Sequence, residues 1–150
     1  MTITDKELHS RAMHYIEGHC IEPERWKYTL LRKLPQKASD FVQMEAEELP
    51  LVSAFFHEES WYAFTTKLLY THNQAGSNSI DLRRPFSYSL GDFKGNSGPE
   101  RDICSIELEN GEVTHFHYET GKASMAPIYA LRFWLIKYPK IPGTEGASFA

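Results

Sequence analysis

Ile103-Cys104-Ser105-Ile106-Glu107-Leu108-Glu109-Asn110-Gly111-Glu112-Val113-Thr114-His115-Phe116-His117-Tyr118 reads as a β-hairpin. Apolar and polar residues alternate on both sides of Asn110-Gly111, the pair most favoured in a two-residue type I′ turn. That turn would set Glu109 opposite Glu112, Leu108 opposite Val113, Ile106 opposite His115 and Cys104 opposite His117. Side chains alternate across a strand, so Cys104, His115 and His117 would share one face. Phe116 and Tyr118 would turn to the core with Ile103.

Further strands precede the hairpin. Leu51 to Phe56 is a short apolar run, and His57-Glu58-Glu59-Ser60 is a polar turn. Trp61 to His72 reads as one long strand, rich in aromatic and β-branched residues. Asn73 to Asn78 is a polar loop containing Gly76. Ile80 to Leu90 reads as a strand interrupted at Pro85, hence an edge or a bulge. Gly91 to Pro99, with Gly95 and Gly98 between, is a loop.

Helices are expected at both ends. Met125 to Tyr138 is an amphipathic helix with Ser124 as its cap and Pro127 in its first turn. Its apolar face is Ile128, Leu131, Trp134, Leu135 and Tyr138. Pro139 stops it, and 139–150, with Pro142, Gly143 and Gly146, reads as a flexible tail. Near the start, Thr4 and Glu7 have capping-box spacing, and Leu8, Ala12, Tyr15 and Ile16 form one stripe that Gly18 ends. Pro23 to Lys33 fits a helix through Trp26 and Leu30, or a strand through Trp26, Tyr28 and Leu30. Gln36 to Glu48, with Phe41 and Met44, reads as a helix.

The order is that of an α+β fold in a single domain, 1–150. A helical N-terminal region, 1–48, precedes a bent antiparallel sheet or partly open barrel closed by the C-terminal helix, 49–138. Composition agrees with a packed core: 150 residues and 17.3 kDa, 41% hydrophobic and 13% aromatic, exclude a disordered chain. No apolar run reaches the ~18 residues of a membrane span, and Met1 to Glu7 carries no signal-peptide character. Cys20 and Cys104 stand far apart with no CxxC, which suits a reducing cytoplasm. The net charge is −4, with seven basic and eleven acidic side chains in 1–60 and nine of each in 61–150. An acidic chain without a basic stripe is not expected to bind nucleic acid.

From about residue 49 to 138 the chain resembles the pleckstrin-homology-like domains of bacterial proteins. Trp61-Tyr62-Ala63-Phe64-Thr65-Thr66-Lys67-Leu68-Leu69-Tyr70 is similar to their strand of apolar residues, Thr-Thr, a basic residue and apolar residues again. The Gly-terminated hairpin and the closing helix, Met125 to Tyr138, agree in order. The resemblance implies a scaffold that binds peptides, proteins or lipid headgroups, with no catalytic residues and no cofactor. Phosphoinositide-binding members carry basic residues in the first strand–strand loop. Here that loop is His57-Glu58-Glu59-Ser60, whose carboxylates repel a phosphorylated headgroup.

Several constellations are chemically suggestive. Cys104, His115 and His117 on one face would form a Cys–His pair or three zinc ligands, the basis of a small hydrolase or metal-dependent enzyme. The same residues also read as a half-exposed polar strand face. His14, Glu17, His19 and Cys20 read as a metal cluster or as a solvated helix end. Gly91, Gly95 and Gly98 around Asp92, Lys94 and Asn96 invite a phosphate loop but lack its Gly-Lys-Ser/Thr ending. Glu45, Glu47, Glu48, Glu58 and Glu59, flanking Leu49 to Phe56, read as a solvated face, as paired carboxylates for general acid–base work, or as an acidic docking region, opposed by Arg25, Lys27, Arg32, Lys33 and Lys37. Trp61, Phe93 and Arg132 are the expected binding anchors, since aromatics and Arg are favoured at interfaces, whereas Phe64, Phe133 and Trp134 read mainly as filling the barrel and its closing helix. The expectation is a non-enzymatic protein- or peptide-binding domain, without metal or cofactor and able to form a homo-oligomer. An immunity protein that occludes a toxin's active site is one form of it.

Overall fold

A computed structural model describes residues 3–39, 42–95 and 100–138. Helix α1 (Asp5–Glu17) begins where the Thr4 hydroxyl accepts the Glu7 amide at 3.1 Å. A single 3-10 turn, Pro23–Arg25, leads into β1 (Thr29–Leu31), so the ambiguous segment holds both kinds of structure. Helix α2 is one turn, Gln36–Ser39, and the helix expected to reach Glu48 does not form. From Val42 the chain is irregular, because Glu48 turns inward. Its carboxylate accepts the Glu45 amide at 3.1 Å, the Tyr70 hydroxyl at 2.9 Å and the Thr65 hydroxyl. Phe41, expected on this helix, lies outside the described residues.

Strands β2 (Pro50–His57), β3 (Ser60–Thr65), β4 (Leu69–Asn73) and β5 (Gly76–Ile80) follow as an antiparallel meander that β1 extends at the β2 edge. The stretch from Trp61 to His72 is thus two strands, not one. Its break is closed by the Thr65 hydroxyl, which accepts the Lys67 and Leu68 amides at 3.1 and 3.0 Å. The loop expected from Asn73 to Asn78 is mostly strand. Gly76, at φ +117°, makes the tight reversal, and Asn73 Oδ1 accepts the Ala75 amide.

Residues 80–90 likewise divide between two sheets. β6 (Phe86–Leu90), β7 (Arg101–Leu108) and β8 (Val113–Glu119) form a separate antiparallel sheet. Between β5 and β6, Asp81 accepts the Arg83 amide at 3.0 Å, and Pro85 stands just before β6. No closed barrel forms among the described residues. The sheets meet where β8 lies against β3 and β4. There side chains substitute for a ladder: Asn73 Nδ2 donates to the His115 carbonyl at 2.7 Å and Asn78 Nδ2 to the Thr114 hydroxyl at 2.8 Å.

The β7–β8 hairpin exists, but its register differs from the expected one by one residue. Cys104 lies opposite Phe116 and Ser105 opposite His115. The Gly111 amide donates to the Leu108 carbonyl, the Leu108 amide donates to the Glu112 carbonyl, and only Gly111 has positive φ, at +90°. These mark a three-residue loop with a type I turn and a glycine bulge, whereas a type I′ turn needs positive φ at Asn110 as well. One residue more in the loop turns β7 over relative to β8.

Helix α3 (Met125–Lys137) follows a 3-10 turn, Gly121–Ser124. The Ser124 hydroxyl donates to the Gly121 carbonyl at 2.6 Å and does not cap the helix. α3 is apolar around most of its circumference rather than along one stripe, because it packs against both α1 and β2. Leu8, Ala12, Met13 and Ile16 of α1 join Leu131, Trp134 and the inner faces of both sheets in one core. A second, smaller cluster sets Trp61 beneath Ala38 and Val42 on the other side of the large sheet. Pro139 and the expected tail, 139–150, fall outside the described residues.

Candidate interaction surface

The new register separates the strand candidates. Cys104 points into the core among Ile106, Phe116 and Tyr118, while His115 and His117 point outward. His115 bonds Ser105 Oγ at 2.7 Å, and His117 bonds Ser60 Oγ at 3.2 Å. Burial, with Arg101 and His57 nearby, lowers the His117 pKa. Among the described residues no group of three His, Cys, Asp or Glu side chains could hold a metal ion.

Burial pushes the Cys104 thiol up to about 12. Below about pH 8.5 this thiol is neutral in folded and unfolded chains alike. Above that, the unfolded thiol ionises while the folded one does not, so stability falls by up to about 1.4 kcal/mol per pH unit for the one group. Urea midpoints measured from pH 8 to 10 should therefore decline less steeply in Cys104→Ala. An equal decline would show that Cys104 is not buried as described.

Other candidates are spent or dispersed. Glu17 pairs with Arg32 at 2.7 Å, which lowers its pKa, and the Cys20 thiol donates to the Ile16 carbonyl at 3.3 Å. The Gly91 loop is closed on a carboxylate: Asp102 Oδ2 accepts the Asp92 amide at 2.7 Å, and a Cβ on Gly91 would lie 2.3 Å from it. A phosphate would meet negative charge there. Glu48 is buried, and Glu45 and Glu47 stand at one end of β2 with Glu58 and Glu59 at the other, roughly 25 Å away at strand rise. They do not form one docking patch. Trp61 and Trp134, each 2% exposed, are core residues and not anchors. Phe93 is half-buried against the main core. A groove of about 370 Å³ runs beside Gln43, Tyr70 and Ser79, but its Trp61 wall is buried and the hydroxyl of the half-buried Tyr70 is held by Glu48.

Arg132 leads to a surface that the linear pattern does not show. Its guanidinium lies 5.2 Å from the Tyr129 ring centroid. The other face of the contact belongs to α1. His19 stacks on Tyr129 at 3.8 Å and 5°, while Tyr15 meets Tyr129 edge-on at 5.7 Å and Phe133 at 6.3 Å. Tyr129 thus lies near His19, and Phe133 near Tyr15, so the two helices run antiparallel here. One further turn brings Arg11 level with Ile136, which is 54% exposed. Tyr15, Tyr129, Arg132 and Phe133 are half-buried, with His19 and Arg11 exposed. Burial raises the Tyr15 pKa against the opposing pull of Arg132.

The chain matches no protein-family model, no curated protein and no solved structure. Among the described residues no helix is long and apolar enough to cross a membrane. The α1–α3 face is thus characterised by its own chemistry. One signal for it was present: Tyr129, Arg132, Phe133 and Ile136 have i, i+3, i+4, i+7 spacing beside the buried stripe of α3. Its other half, Tyr15 and His19, shows only once α1 packs on α3.

Proposed function

We propose that the chain is a non-enzymatic protein-binding domain of pleckstrin-homology-like type, recognising its partner through the face shared by α1 and α3. The observation that carries this is the half-exposed Tyr15–His19–Tyr129–Arg132 cluster. Aromatic rings supply contact area at small entropic cost, and an Arg held against a ring is already partly immobilised. Both helices are anchored in the core by Ile16, Leu131 and Trp134, so the face is rigid before a partner arrives. The succession of antiparallel strands followed by one packed helix supports the pleckstrin-homology-like architecture. The exposed Glu58 and Glu59 in the β2–β3 turn favour a protein over a phosphorylated lipid as the partner.

Selection from a displayed random-peptide library tests the reading. Peptides enriched on the wild-type protein should bind Tyr129→Ala at least ~10-fold more weakly, a loss typical of an interface hot spot. Thermal unfolding of the variant verifies that it remains folded. No enrichment, or peptides that bind the folded variant equally well, would overturn the proposal.

A further inference from the structure

Resting on that reading, we infer that the α1–α3 face takes an acidic segment of its partner, carboxylates alternating with aromatic or aliphatic side chains. The inference comes from a charge contrast. The chain as a whole carries −4, yet α3 has Arg132 and Lys137 and no carboxylate along Met125–Lys137. On α1, Arg11 lies one turn from Tyr15, and the His19 imidazole, just past the helix end, lies 5.2 Å from the Tyr15 ring. The α1 carboxylates are mostly directed elsewhere. Asp5 lies 3.5 Å from Lys67, and Glu17 is bound in two places by Arg32, at 2.8 and 2.7 Å. Glu7 alone shares the outer side, one turn before Arg11 and at the far end from His19.

A cationic, aromatic face on an acidic molecule orients an approaching partner. Outside this face the chain is net acidic, so an acidic segment is favoured here over the surface as a whole. Arg132 is the central group. It lies 5.2 Å from the Tyr129 ring centroid, so a carboxylate reaching it would be bordered by that ring. Ile136 and Phe133 offer the adjoining apolar contact. Duplex or single-stranded nucleic acid is the less suitable polyanion. The face presents a few cations rather than a track, and nucleic-acid affinity grows with each phosphate neutralised.

The peptides selected above decide the matter through their composition and salt response. Asp and Glu should be enriched over the input library, and affinity should fall about tenfold between about 50 and 500 mM salt. Arg11→Glu, at an exposed position, should weaken the same peptides at least ~3-fold, with thermal unfolding confirming the fold; Arg132→Glu should weaken them further. Neutral or basic peptides that still require Tyr129 would overturn this inference and leave the binding surface standing. Absence of any enriched peptide would remove both. A 20-nucleotide single strand that binds as tightly as the best peptide, and is lost in Arg11→Glu, would also overturn it.

Discussion

Replacing Glu119 by Ala should lower the unfolding free energy by about 3–5 kcal/mol, a large share of what a domain of this size possesses. Glu119 is buried near the end of β8, where its carboxylate accepts four hydrogen bonds. They come from the Lys27, Tyr28 and Thr29 amides at 2.8, 2.9 and 3.0 Å, and from the Thr29 hydroxyl at 2.8 Å. One side chain thus satisfies the backbone that leads into β1, about ninety positions earlier in the chain. Ala would leave the buried Thr29 amide and hydroxyl without an acceptor and the part-buried Lys27 and Tyr28 amides without theirs, and each unsatisfied buried group costs about 1–3 kcal/mol. Glu119→Gln should lose about half as much, because the amide oxygen still accepts while its NH₂ faces a backbone donor. Urea titration reads both variants, and hydrogen exchange at residues 27–29 should lose protection in the Ala form. A loss below about 1 kcal/mol would mean that these amides find other partners.

The Glu119 clasp also shows which parts of the fold were legible in the sequence. Helix α1 was, because its cap and stripe are local: Thr4, Glu7, Leu8, Ala12 and Ile16 lie within four turns. The strands were legible as apolar runs but not in their breaks. Each misjudged break is set by a polar side chain folding onto nearby backbone: Thr65 after β3, Asn73 before β5, Asp81 after β5. Apolar periodicity carries no record of such bonds, and Thr, Asn and Asp occur in strands and turns alike. Glu48 is a sharper case. Read as one of a solvated acidic run, it is buried and accepts the Thr65 and Tyr70 hydroxyls. The interaction surface was half legible. Arg132 was marked by its residue type, whereas Tyr15 looked like a core residue until α3 was placed beside it.

The hairpin that announced the sheet yields the second large effect. Ile106→Ala should cost about 3–4 kcal/mol, whereas Ile103→Ala should cost less than about 1 kcal/mol. Ile106 is fully buried opposite Thr114, and Ile103 is 45% exposed opposite His117 on the outer face. Removing three heavy atoms from a packed site loses transfer energy and leaves a cavity; removing them from a wet face loses little. The contrast is diagnostic because the two isoleucines are three residues apart and therefore always on opposite faces of β7. Their chain positions alone cannot say which faces inward. The loop decides: with Glu109, Asn110 and Gly111 all in it, Leu108 pairs by hydrogen bond with Glu112, and Cys104, Ile106 and Leu108 line the core. With a two-residue turn the assignment reverses. Ile103 would then be the costly residue, and Cys104 would stand beside His117 on the open face. Chemical denaturation of the two variants separates these geometries, and the opposite ranking would restore the Cys–His juxtaposition that the register removes.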